Sequence, residues 1–312
     1  MQDLLKELKL NNQLKYQLLM SNIISNLDFK NQKDKEILLL LLQDRDRNFI
    51  RINNNKQCYE NIKAYLKVLQ PLDIPQEDLI RIGGHTDGGY IMYNKNNELN
   101  NPLNNKAISL GVSESSPWDL DMADRGFKVI EYDASIKQSP YQHKNITFHK
   151  KFIGIKNEGE YINIEKVIED NNLNKKDMNI LQCDIENSEW DMLNSINIGL
   201  FNDYFKQVIF EFHGCNPEEQ VGFEKRKSLL KKINQYYYPF HVHLNNHGKI
   251  FYSNGLFFST TLEVSYIRKK DLDKTNIKYN YKTIGITELD YPSWPSNPEI
   301  PLKFEFEDDS NE

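Results

Sequence analysis

No two of the three cysteines, Cys58, Cys183 and Cys215, stand in a C-x-x-C pair, and their number is odd. That usage fits a reducing compartment. A long apolar run is missing as well. The longest aliphatic stretch, ILLLLL at 37–42, falls far short of the roughly 20 residues that span a bilayer. The amino terminus, MQDLLKELKL, lacks the basic-then-apolar layout of a signal peptide. Positive charge is not in excess: 39 Lys and Arg face 45 Asp and Glu, for a net charge of −6. Phosphate neutralisation needs clustered Lys and Arg, so nucleic acid is set aside as the main partner. The one basic cluster, EKRKSLLKK at 224–232, reads as the solvated face of a helix whose apolar stripe is Leu229, Leu230 and Ile233. The expectation is a soluble, cytoplasmic protein without membrane insertion.

What is present suffices for a core. Hydrophobic residues make up 39% of the 312, and the length suits one large domain or one domain with an appendage. Residues 1–70 read as helical: DLLKELKLNNQLKYQLLMSNIISNL spaces its Leu, Met and Ile residues near a helical period, and KDKEILLLLLQDRD and CYENIKAYLKVLQ add two shorter helices. Pro71 and Pro75 then break the chain, which predicts a helical extension over 1–75 and a main domain over 76–312. The extension reads as a cap or as a contact for a homo-oligomer.

From residue 79 the period changes. LIRIGGHTDGGYIMY reads as a hairpin around a Gly- and Asp-rich turn. KAISLGV, KVIEYDA, NITFHKKFI, NILQCD, QVIFEFHG, FHVHLNN, KIFYSN and LFFSTTLEVSYI then read as strands. Most of them are separated by helices such as PWDLDMADRG, NIEKVIEDNN, SEWDMLNSI and EKRKSLLKKINQY. That alternation predicts an α/β fold with a mainly parallel sheet and ligands at the carboxyl ends of the strands. The closing strands around Asn–Gly should be antiparallel, and the charged tail KFEFEDDSNE should fray.

Candidate functional residues fall at those strand ends. Gly111 closes the first strand and lets the backbone approach a ligand, although the second glycine of a G-x-G is replaced by Ser113. Asp133 ends the next strand, 22 residues on, where an acid takes ribose hydroxyls in doubly wound nucleotide-binding folds. Asp184 ends NILQCD. Glu186, Glu189 and Asp191 follow in what reads as a first helical turn, where acids favour the positive end of the dipole. Glu211 and His213 alternate onto one face of their strand, with Phe210 and Phe212 on the other; His241 and His243 share a face further on, continued by Asn245. A carboxylate and an imidazole together suit acid–base work or a metal.

AISLGVSESSPWDLDMADRGFKVIEYDAS, DIENSEWDML and VIFEFHG together resemble the FkbM-like family of S-adenosylmethionine-dependent methyltransferases. DIENSEWDML resembles the family's D-x-E-G-x-E-x-x-x-L signature with Asn187 for glycine. IRIGGHTDGGYIM resembles the R-x-G…D-G-G-Y segment that precedes the Rossmann core in one branch. The likeness covers residues 79–267. It implies a seven-stranded mainly parallel Rossmann-like methyltransferase sheet, with the cofactor S-adenosylmethionine across the strand ends. It places Arg81, Gly111, Ser113, Asp133, Ala134 and Asp184 at the cofactor. The activity it implies is O-methylation of a sugar or nucleotide-linked sugar in surface-glycan biosynthesis.

The proton of a sugar hydroxyl must go somewhere, either to a side-chain base or away from an oxygen held by a divalent cation. Asp184, Glu211 and His213 are the expected ligands of Mg²⁺ or Mn²⁺, with Asp184, His213 and His243 as catalytic groups. Two alternatives stay open: a metal-dependent hydrolase on a similar sheet, and a binding protein that keeps the fold without turnover.

Overall fold

The computed structural model describes residues 15, 31–45, 50–100, 104–272, 278–280, 286, 288–297 and 299–304. The chain divides into two compact units, 1–52 and 53–312. The first contains a helix, α1 (Gln32–Arg45), and a short strand, β1 (Ile50–Ile52). The helix expected over residues 3–27 lies outside the described residues, apart from helical Lys15. So does the charged tail beyond residue 304. No helix among the described residues is long and apolar enough to cross a membrane.

The second unit begins well before the expected boundary at residue 75. Its first helix, α2 (Lys56–Leu69), is capped by the Asn55 side chain and buries Cys58, Ile62, Tyr65, Leu66 and Leu69. Tyr65 stacks on Phe258 and meets Phe223 edge-on. Pro71 and Pro75 end the helix without separating domains, because Leu72 N–H donates to Pro239 O and ties the segment in. This helix belongs to the core, not to an extension.

Then come β2 (Leu79–Ile82) and β3 (Tyr90–Tyr93), an antiparallel pair as expected. The remaining elements alternate: β4 (Lys106–Leu110), α3 (Pro117–Asp124), β5 (Lys128–Tyr132), β6 (Ile146–His149), β7 (Phe152–Ile153), β8 (Tyr161–Ile162), α4 (Ile164–Asp170), β9 (Asn179–Cys183), α5 (Glu189–Ser195), α6 (Ile198–Tyr204), β10 (Phe205–Phe212), α7 (Gln220–Ile233), β11 (Tyr237–Leu244), β12 (Ile250–Ser253), β13 (Leu256–Ser259) and β14 (Leu262–Arg268). Seven of these strands form one sheet in the order β11-β14-β10-β9-β4-β5-β6. β10, β9, β4, β5 and β6 pair in parallel, and β14 runs antiparallel between β11 and β10. The arrangement is compatible with a Rossmann-like fold. The stretch read as one closing strand splits at Thr260–Thr261. Its first half, β13, pairs with β12 across Asn254 and Gly255, both at positive φ (45° and 87°), as a primed hairpin turn requires.

The sheet buries both faces. One carries Val129, Ile180 and Ile209 against Trp118, Met122 and the β2–β3 pair. On the other, Phe212 stacks on Trp190 of α5 and Phe210 on Phe201 of α6, the covering helices anticipated for those rings.

Register sets the site. Leu110 lies opposite both Tyr132 and Cys183, and Cys183 opposite Phe210. One step beyond, Asp133, Gly111, Asp184 and Glu211 therefore stand in a single row across four strand ends. Glu263, paired with Glu211, and His243, paired with Glu263, continue it. The order reverses between β4 and β9, the switch point where open α/β sheets leave a crevice.

Candidate functional site

A cleft of about 810 Å³ opens above that row. Gly111 (φ +83°) forms its floor, and a Cβ there would stand 1.7 Å from the backbone oxygen of Asp184. Ser113 stands at φ 57° and Asn187 at φ 77°, so both positions where the G-x-G and D-x-E-G-x-E patterns would have glycine hold the left-handed backbone that glycine adopts most easily. Asn tolerates it better than Ser.

Asp133 lines the cleft, but its carboxylate is committed. Oδ2 accepts from Val112 N and Ser113 N (3.0 and 2.8 Å), and Oδ1 from Ser135 N and Oγ (2.7 and 2.6 Å). A carboxylate has about four acceptor positions, and all four are filled. Burial opposes the charge, yet these bonds hold the pKa below the usual range. The expectation that Asp133 grips a ribose is corrected accordingly: it clamps the glycine turn to the end of β5.

Arg81 is corrected too. Its guanidinium donates to the carbonyls of Gly84, Thr86 and Leu289 and so shapes the β2–β3 loop instead of reaching the cleft. Ala134 is buried and does not line the cleft.

Asp184, Glu186, Glu211 and His213 do converge. His213 Nε2 lies 3.8 Å from Asp184 Oδ1, 3.6 Å from Glu186 Oε2 and 3.7 Å from Glu211 Oε1. Its Nδ1 lies 3.2 Å from Glu189 Oε1, and its carbonyl accepts from Trp190 Nε1 at 2.7 Å. Glu186 is not on a helix: it stands at φ 53° in the turn ahead of α5. Glu189 does begin α5 but is fully buried; its Oε1 also accepts from Ile185 N and Asn187 N. Asp191 pairs with Lys225 at the surface, as ordinary helix physics predicts.

Burial is the main cause that lifts the Asp184 pKa to about 7; Glu186, Asp87 and Glu189 add to it and His213 opposes. Glu211 is raised for the same leading reason, with Asp184, Glu263 and Asp87 beside it. For His213 burial disfavours the charged ring, but the Glu189 hydrogen bond and the surrounding carboxylates prevail, raising it to about 8. Asp184 Oδ1 is shut off from solvent and has no hydrogen-bond partner. Burial of an unpaired carboxylate oxygen is costly, and the raised pKa of Asp184 reflects that cost.

Ligand atoms of Asp184, Glu186 and His213 lie within 4.8 Å of one another, and so do those of Asp87, Glu211 and Glu263. Of the expected ligands, Asp184 and His213 thus group with Glu186, whereas Glu211 groups with Asp87 and Glu263. In the second set Glu263 is largely spent, because it accepts from Asn245, Ser293 and His243. Glu211 accepts from Asn245 Nδ2 at 3.0 Å and, at a longer 3.4 Å, from the Tyr90 hydroxyl.

His243 is no base. Both ring nitrogens face carboxylates, Nδ1 at 3.0 Å from Glu263 and Nε2 at 2.7 Å from Glu299. Burial opposes its charge, yet the two acids raise its pKa well above the ordinary value, and with both nitrogens engaged neither is free to take a substrate proton. His241 is held by Asp290 at 2.8 Å. Both histidines therefore fasten the segment containing Asp290 and Glu299.

Asp87, Tyr90 and Glu189 were not anticipated as site residues. D-G-G-Y signalled the loop that brings Asp87 and Tyr90, but nothing local signals which strand end that loop covers. No family model matches the chain, and no curated protein matches it.

Proposed function

We propose that the chain is an S-adenosylmethionine-dependent O-methyltransferase that acts on a sugar hydroxyl with the help of a divalent cation, Mg²⁺ or Mn²⁺. One observation carries the reading. The switch-point cleft is lined by Asp87, Glu114, Asp133, Asp184 and Glu186 and, among the described residues, by no Lys or Arg. Phosphate-bearing cofactors call for cationic or N–H-rich cradles, and this wall repels them. A phosphate-free nucleoside with a sulfonium centre suits it. The resemblance to FkbM-like methyltransferases supports the cofactor and a sugar or nucleotide-linked sugar as acceptor; between these two, the same charge favours the unphosphorylated sugar.

Bound adenosylmethionine supplies the electrophilic methyl group, and a cation supplies the charge that lowers the pKa of a hydroxyl. The chain's own residues do the rest. Gly111 and Ser113 admit the methionine end, with Asp133 holding their turn. Asp184, Glu186 and His213 fit a cation, given the orphaned Oδ1 of Asp184. In a metal-free version, His213 Nε2 takes the hydroxyl proton. Aligning the acceptor oxygen with the methyl group is the larger part of the task.

Methyl transfer from labelled adenosylmethionine to a panel of sugars, with metal-stripped protein in EDTA and again with Mn²⁺, tests the reading. Transfer that appears with Mn²⁺ is expected; full transfer in EDTA removes the cation from the account. A metal-dependent hydrolase, with the same Asp184, Glu186 and His213 cluster acting on a water, is the second reading. Cleavage of phosphate or acyl esters without adenosylmethionine binding would select it.

A further inference from the structure

We infer that Glu189 is a positioning residue that fixes the His213 ring with its proton on Nδ1 and its Nε2 lone pair turned toward Asp184, Glu186 and Glu211. The inference rests on the proposed cation site. A carboxylate only accepts, so the 3.2 Å contact to Glu189 Oε1 places the proton on Nδ1. Nε2, 3.6 to 3.8 Å from three carboxylates, is the nitrogen left for a cation or an acceptor hydroxyl. Free neutral histidine favours the opposite tautomer, so the arrangement has to be imposed, and a carboxylate behind the ring is the usual means in metal sites.

An acid at the start of a helix is ordinarily solvated and serves the dipole. Glu189 is fully buried, and the same oxygen turns back to Ile185 N and Asn187 N (3.0 and 3.2 Å). One oxygen atom thus sets both the ring and the turn that carries Glu186. Trp190, the next residue, fixes the backbone of His213 through its indole N–H at 2.7 Å. Ring, turn and strand end are held by two adjacent side chains of α5.

The test uses the full chain, isotope-labelled and metal-free, with the His213 ring nitrogens read by NMR across a pH titration carried to the point where the ring is neutral. The Nδ1–H tautomer is expected in the wild type; the Nε2–H tautomer overturns the inference. Glu189→Gln keeps the shape but removes the charge. It should shift the ring toward Nε2–H and weaken Mn²⁺ binding, read by calorimetry, about 10- to 100-fold with the melting temperature nearly kept. Unchanged tautomer and unchanged Mn²⁺ affinity in that variant overturn the inference as well. If the variant does not fold, the wild-type tautomer decides alone. Nδ1–H in a wild type that binds no Mn²⁺ upholds the positioning and sinks the cation reading instead.

Discussion

Gly111 lies so close to the carbonyl oxygen of Asp184 that no side chain fits between them: a Cβ would stand 1.7 Å from that oxygen. The two strand ends are also joined through Asp184 N–H, which donates to Leu110 O at 2.8 Å. The floor of the cleft is thus a backbone contact across the switch point. Gly111→Ala must push β4 and β9 apart and adopt φ +83°, at a cost of more than about 2 kcal/mol. Denaturant unfolding reads the loss, and adenosylmethionine binding should fall with it.

Ser113 and Asn187 carry the opposite expectation. Both hold a left-handed backbone that glycine adopts without strain. Ser113→Gly should stabilise by up to about 1 kcal/mol, the relief of strain exceeding the entropy that glycine brings to the unfolded chain. Asn187→Gly should be closer to neutral, since Asn tolerates this region. Chemical unfolding of the two variants side by side checks the ordering.

His243 and His213 should separate structure from function. Replacing His243 leaves Glu263 buried without its cationic partner, so His243→Gln should cost about 3 to 5 kcal/mol in unfolding experiments. His213→Gln should change stability less, because Glu189 keeps the Ile185 and Asn187 N–H donors, while abolishing Mn²⁺ binding. Equal destabilisation by both would remove the distinction.

Asp184 predicts a pH dependence. Its pKa is about 7 in the folded chain against an ordinary 3.8, so between these values the folded state holds a proton that the unfolded state has released. Stability of the metal-free protein should therefore fall as pH rises from about 4 to 7 through this group. Asp184→Asn should flatten that slope. Mn²⁺ competes with the proton, so its stabilising effect should grow over the same interval. Thermal melts across pH, with and without Mn²⁺, read both.

Much of the fold was legible because short β-branched strands alternate with amphipathic helices. Asp184, Glu211 and His213 were legible because alternation and strand ends fix where a side chain points. The filling of Asp133's acceptor positions was not, since two of its four donors are N–H groups of a turn 20 and 21 residues earlier. His243 misleads for the same reason: its partners stand 20 and 56 residues away. Arg81 looked like a ligand-binding cation because three backbone carbonyls around it exist only once the loop is folded. Glu189 matched a helix-dipole acid, and burial alone distinguishes it.

The central claim is that this acid-walled cleft holds adenosylmethionine. Calorimetric titration of the purified full chain with adenosylmethionine, and with ATP as the phosphate-bearing counterpart, tests it most directly. One adenosylmethionine per chain with no ATP binding is the predicted result. A folded protein that binds ATP, or that takes up no adenosylmethionine, would contradict it.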